Sequence, residues 1–280
     1  MKIAVASGKG GTGKTTIAVG LALAASDEVT VLDCDVEAPN CHIFLKPQII
    51  CSKEVNIPVP VLEESLCDGC GECGDVCEYR AIAIISGKPM IFSELCHGCG
   101  ACTYICPRYA LKESPRNIGI IEKGNSLGIG FVHGILNIGE PISPPLIKAV
   151  RKEEGKGLTI VDCPPGTSCP VVTAVAGSDY VILVTEPTPF GLNDLKLAVE
   201  MLDEMYIPYG VVINKAGTGD LSVKEFCSNA NINVLSEIPD NRRAAVAYSR
   251  GLPTSEIVPE FRGCFEEILH RVMEKKLNAK

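Results

Sequence analysis

Eight cysteines fall into two runs, Cys67-x2-Cys70-x2-Cys73-x3-Cys77 and Cys96-x2-Cys99-x2-Cys102-x3-Cys106. Thiolates at i, i+3 and i+6 can wrap three corners of a cubane, and the fourth cysteine of each run then faces the other cluster. The spacing predicts two [4Fe–4S] clusters, one on Cys67, Cys70, Cys73 and Cys106, the other on Cys96, Cys99, Cys102 and Cys77. Gly69, Gly71, Gly98, Gly100 and Ala101 keep side chains away, so that backbone N–H groups can approach the sulfurs. Four thiolates also suit Zn²⁺, but zinc sites usually pair two CxxC knuckles across a longer spacer, and neither run does so. Pro107 follows the second run where Glu78 follows the first, which removes no ligand.

A second chemistry is written near the start of the chain. Gly8-Lys9-Gly10-Gly11-Thr12-Gly13-Lys14-Thr15, followed by Thr16, satisfies GxxxxGK[ST] immediately after an apolar strand and before a helical stretch. The glycines let consecutive N–H groups curl around phosphate oxygens, and the helix directs its positive end at them. Lys14 is expected to reach the β and γ phosphates and the Thr15 hydroxyl to bind Mg²⁺. Two apolar runs close in acids suited to the same site, Leu158 to Asp162 for the Mg²⁺ shell and Val31 to Asp35 as a second source of carboxylate.

These side chains need a frame. Short β-branched runs at Lys2 to Ala6, Val29 to Asp33, Leu158 to Asp162, Tyr180 to Thr185, Gly210 to Asn214 and Asn233 to Leu235 alternate with helical spacing at Thr15 to Ala25, Gly191 to Met205 and Ser222 to Asn229. That alternation predicts a doubly wound, mostly parallel α/β domain. From 62 to 112 the rhythm breaks, and CDGCGECGDVCEYRAI is echoed by CHGCGACTYICPRYAL. The expected organisation is a discontinuous main domain, 1–61 and 113–280, with a small α+β domain inserted at 62–112. Its flanks, Pro47 to Pro60 and Glu113 to Gly130, are rich in Pro, Gly and polar residues and read as linkers.

Composition narrows the classes. Of 280 residues, 46% are apolar and 21% charged, with a formal charge of −8, which argues against a sequence-independent hold on nucleic acid. No apolar run reaches the ~18 residues of a membrane span. The opening MKIAVASGKGG shows no secretory pattern, so a cytoplasmic location is expected, where clustered cysteines bind metal more often than they form disulfides. Each cluster with four thiolates adds about two negative charges. The insert is thus expected to be an acidic redox module that attracts basic electron-transfer partners.

The segment 62–112 resembles a bacterial two-[4Fe–4S] ferredoxin over its whole length. Nearly all of the remainder resembles the MinD/ParA/Mrp group of P-loop ATPases, which includes the nitrogenase iron protein, through KGGTGKTT, LDCDVEAPN, VDCPPGTS and VINK. That resemblance implies an ATP-sandwiched dimer, of this chain with itself or with a related ATPase. It makes Lys9 the signature lysine that crosses to the partner's nucleotide and Asp35 the group that orients the attacking water. It also implies that Asn214 contacts adenine, with Pro239 and Asp240 nearby. Gly217 stands where the guanine-reading NKxD pattern needs Asp, so ATP is preferred.

Seven cysteines remain. Cys227 and Cys264 lie on helical stretches and are expected to be buried, whereas Cys163 and Cys169 bracket the switch segment after Asp162. Cys169 has the offset of a cluster ligand in the nitrogenase iron protein, which makes it a candidate subunit-bridging metal site, with simple burial favoured. The residues Phe261, Phe265, Ile268, Val272 and Met273 suggest a C-terminal helix that packs on the sheet or, as in MinD, meets a membrane. The functional expectation is a nucleotide-dependent dimer switch coupled to electron transfer through two clusters. The alternative is an ATPase that assembles or carries metalloclusters, ahead of a MinD/ParA-like positioning ATPase. The partner is a redox or metallocluster protein.

Overall fold

Near-continuous apolar strands need cover on both faces, and the chain supplies it by alternating strands with helices. The computed structural model describes residues 1–26 and 28–278, with the side chains of 275–278 excepted. In chain order the first half forms β1 (Lys2–Ala6), α1 (Lys14–Ala24), β2 (Val29–Asp33), α2 (Cys41–Leu45), β3 (Gln48–Leu62), α3 (Glu72–Asp75), β4 (Ile82–Ile85), β5 (Lys88–Ile91), α4 (Ala101–Ile105), β6 (Leu111–Ser126) and β7 (Ile129–Leu136). The second half forms α5 (Pro144–Arg151), β8 (Leu158–Asp162), α6 (Cys169–Val175), β9 (Tyr180–Thr185), α7 (Pro189–Glu204), β10 (Tyr209–Ala216), α8 (Ser222–Asn229), β11 (Val234–Pro239), α9 (Arg242–Ser249), α10 (Thr254–Ile257) and α11 (Pro259–Asn278).

The main sheet runs β11-β10-β9-β1-β8-β2-β7-β6-β3, and the links from β11 to β7 are parallel. This is the expected mostly parallel α/β P-loop architecture. In the centre, β1 and β8 are in register from Lys2↔Thr159 to Val5↔Asp162, and β2 and β8 from Val29↔Leu158 to Asp33↔Asp162. The parallel register therefore delivers the acids that end β2 and β8 to the same sheet edge.

Helix ends are set by local chemistry. Thr188 caps α7 by accepting from the Gly191 N–H at 3.0 Å, with Pro189 at the first helical position, and Asn241 caps α9 by accepting from the N–H of Arg243 and Ala244. The C-terminal helix packs inward: Phe261, Phe265, Ile268 and Val272 are buried in the apolar core with Ile3, Ile17, Leu21 and Ile160. A Cβ on Gly20 of α1 would lie 2.3 Å from the Phe265 ring, so only glycine lets the two helices approach this closely. Lys275 and Lys276 lie outside the residues whose side chains are described. No described helix is long and apolar enough to cross a membrane.

The flanks expected to be linkers are instead strands, β3 on one side and β6 with the start of β7 on the other. Their composition misleads because β3 is the terminal strand of the sheet, where Pro58 and Pro60 need not donate on the outer side. Leu127 and Gly128 join β6 to β7 in a two-residue turn with φ of 52° and 85°, the left-handed conformations that tight hairpins favour.

The chain divides into two compact units, Met1–Ser52 with Ile121–Ile135 and Ile147–Lys280, and Lys53–Ile120 with Leu136–Leu146. The second contains the cysteine repeats and the antiparallel pair β4-β5, in register from Ile82↔Ile91 to Ile85↔Lys88. It has a small apolar cluster built on Ile82, Cys102 and Leu111.

Candidate functional site

The loop between β1 and α1 takes its shape from glycine. Gly11 and Gly13 adopt φ of 81° and 96°, and α1 begins directly after Gly13. A Cβ on Gly13 would also lie 2.3 Å from the Asn214 side-chain nitrogen, and one on Gly8 would lie 2.3 Å from the Asp194 carbonyl oxygen of α7. The loop borders a cavity of about 380 Å³ whose lining includes Gly10, Gly11, Gly13, Lys14, Thr15, Thr16, Asp35, Asn214, Pro239 and Asp240. Pro165, Asn241, Tyr248 and Phe261 also line it. Asn214 donates from its amide to the Thr12 carbonyl at 2.8 Å, which ties the end of β10 to the loop.

The carboxylates gather beside it. The Thr15 hydroxyl donates to Asp162 Oδ2 at 2.6 Å, and Asp162 is 1% exposed. Asp33, fully buried in register beside it, accepts from the backbone N–H groups of Asn40 and Cys41, both at 2.9 Å, and of Asp35 at 3.2 Å. Burial, reinforced by Asp162, pushes the Asp33 carboxyl well above its usual range, and burial raises Asp162 against the pull of Thr15 and Lys14. Asp35 lines the cavity, and burial with Asp162 nearby pushes it up to about 6. A bound cation would relieve this concentration of negative charge.

Lys9 is paired with Glu186 at 3.5 Å, and Glu186 also holds Lys215, whose ammonium reaches the Gly11 carbonyl at 3.4 Å. The sequence expectation gives Glu186 no role and Asp33 only a place at the end of a strand. Asp33 had a signal: VTVLD and LTIVD both end apolar strands in Asp, and parallel neighbours put such ends side by side. Glu186 had none, because its partners are far apart in sequence, Lys9 in the phosphate loop and Lys215 on β10.

The second unit holds the thiols in two sets. One cavity is lined by Cys67, Cys70, Cys73 and Cys106, the other by Cys77, Cys96, Cys99 and Cys102, so the fourth member of each set comes from the other repeat. Gly69, Gly71, Gly98 and Gly100 all adopt positive φ, from 68° to 86°, which turns the loops around the cavities. Backbone N–H groups point at sulfur in both repeats: Ala81 donates to Cys77 Sγ and Ala110 to Cys106 Sγ, each at 3.3 Å, and Gly98 to Cys96 Sγ at 3.4 Å. Such donors stabilise thiolate, and four thiols around one cavity are a soft, anionic donor set that fits an iron–sulfur cluster. The two cavities differ at their rims, where Asp68 of the first repeat pairs with Arg108 of the second at 2.7 Å beside one, and Tyr79 of the first stacks on His97 of the second, with ring centroids 3.6 Å apart, beside the other.

The two switch cysteines occupy different environments. Cys163 is fully buried at the end of β8, where burial pushes its thiol far up, while Cys169 is exposed as the first residue of α6. Cys227 is buried in α8 and Cys264 half-buried in α11.

Residues 3–254 match the family model described as the CobQ/CobB/MinD/ParA nucleotide binding domain. Two uncharacterized proteins of Methanocaldococcus jannaschii are 33% and 37% identical, over 90% and 79% of this chain and 90% and 80% of their own. An iron-sulfur cluster carrier protein of Aquifex aeolicus is 27% identical over 99% of this chain and 69% of its own. Among solved structures, the septum site-determining protein MinD of Pyrococcus horikoshii, complexed with Mg-ADP, superposes with a TM-score of 0.62 at 19% identity, covering 97% of this chain and 95% of that one, a likeness of fold.

Proposed function

The chain belongs to the CobQ/CobB/MinD/ParA family of nucleotide-binding domains, and from that premise we propose that it is an ATP-hydrolysing iron–sulfur protein. In it a nucleotide-dependent dimer switch governs electron transfer through two [4Fe–4S] clusters. Residues 62–112 form a ferredoxin-like insert in a P-loop domain of 1–61 and 113–280. The observation that carries this proposal is the partition of eight thiols into two sets of four, one around each cavity, in a chain that also carries a complete phosphate loop.

At the nucleotide site, the loop N–H groups and Lys14 hold the phosphates, and Asn214 with the Pro239-Asp240 turn borders the base. Thr15 and Asp162 would hold Mg²⁺, which supplies neutralisation of phosphate charge. Asp35, which burial and Asp162 push up to about 6, accepts as a carboxylate from a water on the γ-phosphate. The water oxygen bonds to phosphorus as the bond to the β-bridging oxygen breaks, the proton the water sheds passing to an oxygen of the released phosphate, and Lys14 with the partner's Lys9 offsets the charge that develops. For Lys9 to cross, its contact with Glu186 must open, which makes that pair part of the switch.

Each cluster would be held by its four cysteines, Cys67, Cys70, Cys73 and Cys106 or Cys77, Cys96, Cys99 and Cys102, and supplies one-electron chemistry when bound. The test is anaerobic purification with iron counting and EPR of the reduced protein, repeated with ATP and with ADP. The expected result is about eight iron per chain and cluster oxidation by a redox partner that depends on ATP. Zinc in place of iron, or spectra and oligomeric state indifferent to nucleotide, would refute the coupling. A second function, cluster assembly on behalf of other proteins, is favoured by the relatives named iron-sulfur cluster carrier protein and by the exposed Cys169. Transfer of iron to an apo-acceptor, lost in Cys169→Ala, would select it.

A further inference from the structure

One sulfur stands among the carboxylates of the nucleotide site and has no part in the function above. Asp33, Cys41 and Asp162 are all buried, and one ligand atom from each lies within 4.8 Å of the other two. Cys41 Sγ donates to Asp162 Oδ2 at 3.4 Å, the same oxygen that accepts from Thr15. Oxygen and sulfur ligands at about 2.1 and 2.3 Å from one cation are separated by roughly 3.1 to 3.6 Å for angles between a right angle and tetrahedral. The observed separation lies inside that window. Asp162 Oδ1 is buried and has no hydrogen-bond partner, so it is available as a ligand on the same residue.

We propose that Cys41 sets the cation class of the nucleotide site, adding a thiolate to Asp162 and Asp33 so that a softer divalent ion such as Co²⁺ is held in preference to Mg²⁺. This rests on the nucleotide-binding function proposed above. Mg²⁺ prefers oxygen ligands only, whereas transition ions accept sulfur. The sulfur is placed by the backbone: the Cys41 N–H donates to Asp33 Oδ2, which fixes the first residue of α2 against the end of β2. When the metal–sulfur bond forms, the thiol proton now directed at Asp162 leaves to solvent, and the ion takes its place between the two residues.

The test measures the affinity of the full chain for a fluorescent ADP analogue in Mg²⁺ and in Co²⁺, for the wild type, Cys41→Ser and Cys41→Ala. Transition ions bind most sites more tightly than Mg²⁺, so the readout is the Co²⁺-to-Mg²⁺ affinity ratio. Uptake of Co²⁺ by other cysteines is common to all three proteins. Both variants should lower the ratio by about tenfold. An unchanged ratio overturns the proposal. So does an equal loss of affinity with both ions in both variants, which would make Cys41 a packing residue. Absence of nucleotide binding by the wild type in either ion overturns the nucleotide-binding function itself, and this proposal with it.

Discussion

The two units are held together by different means. In the first, buried side chains from β1, β2, β8, β9, α1 and α11 form a broad apolar core, the usual source of stability for a domain of this size. The second, built around the cysteine repeats, has a cluster resting on Ile82, Cys102 and Leu111, supported by half-buried Cys73 and Cys77. One of its three buried members is a proposed ligand, and so are two of the supporting residues. Where core and ligand set are the same atoms, binding free energy is folding free energy. Under the proposed ligation the first unit would keep its fold without its ligand, whereas the cysteine unit would lean on what its thiols hold.

The largest expected effect tests that contrast. Removing iron by chelation under reducing conditions should abolish hydrogen-exchange protection across 67–106, while 2–6 and 158–162 keep theirs. Simultaneous loss of protection in both stretches would show that the units share one core. The ligand partition can be broken in the same way. Cys106→Ser should disturb the EPR signal of the set otherwise drawn from the first repeat, and Cys77→Ser that of the second, because each cavity borrows its fourth thiol from the other repeat. Signals that follow the repeat in sequence would overturn the crossed assignment.

The converse substitution acts on the first unit. Lys14 is 7% exposed and lines the nucleotide cavity, and a charge-assisted bond to phosphate is worth about 2–3 kcal/mol. Lys14→Ala should therefore weaken binding of a fluorescent ATP analogue by roughly 100-fold and leave the iron content and EPR spectrum unchanged. A variant that loses iron as well would mean that the units are coupled in stability.

Most of the first unit was legible because its signals are local. VTVLD and LTIVD are apolar runs of strand length, and the phosphate loop is a contiguous motif whose Gly13 needs a left-handed φ. The proposed thiol sets were legible for the same reason, since the spacing of each run fixes which sulfurs converge. What stayed hidden depends on tertiary placement. Strand β3 reads as a linker because two prolines and scattered polar residues interrupt it and its partner β6 lies far along the chain, and β6 because polar residues dominate it although its hairpin partner β7 is adjacent. Cys41 belongs to no motif, and its approach to Asp162 is set by the Asp33 side chain, which holds the backbone N–H groups of Asn40 and Cys41 together.

Glycines sharpen the comparison at a smaller scale. Gly13 combines φ of 96° with a Cβ position 2.3 Å from Asn214, whereas nothing lies within 4 Å of a Cβ on Gly10. Gly13→Ala should cost about 2–3 kcal/mol of first-unit stability by combining left-handed strain with overlap, and Gly10→Ala much less. In the second unit Gly69, with φ of 77° and a Cβ position 2.5 Å from the Gly87 carbonyl oxygen, is the counterpart. Gly69→Ala should reduce iron retention without altering the first unit's thermal transition, and a shift of that transition would contradict the separation.

The smallest effect lies in alkali. Tyr180 on β9 is 4% exposed, its hydroxyl is buried without a partner, and burial pushes its pKa up to about 12 from a model-peptide value of 10. Because the folded chain holds this proton more tightly than the unfolded one, the contribution is fully present below about pH 10 and is lost as pH rises toward 12. At about pH 11 the loss should reach roughly 1.4 kcal/mol, read as a fall in the first unit's denaturation midpoint. Tyr180→Phe, which has no proton to lose, should flatten that fall, while the cysteine unit's iron release over the same range stays the same in both proteins. An equally steep fall in Tyr180→Phe would assign the alkaline sensitivity elsewhere, with Tyr209, also raised to about 12 and bonded to Asp203 at 2.8 Å, as the group to substitute next.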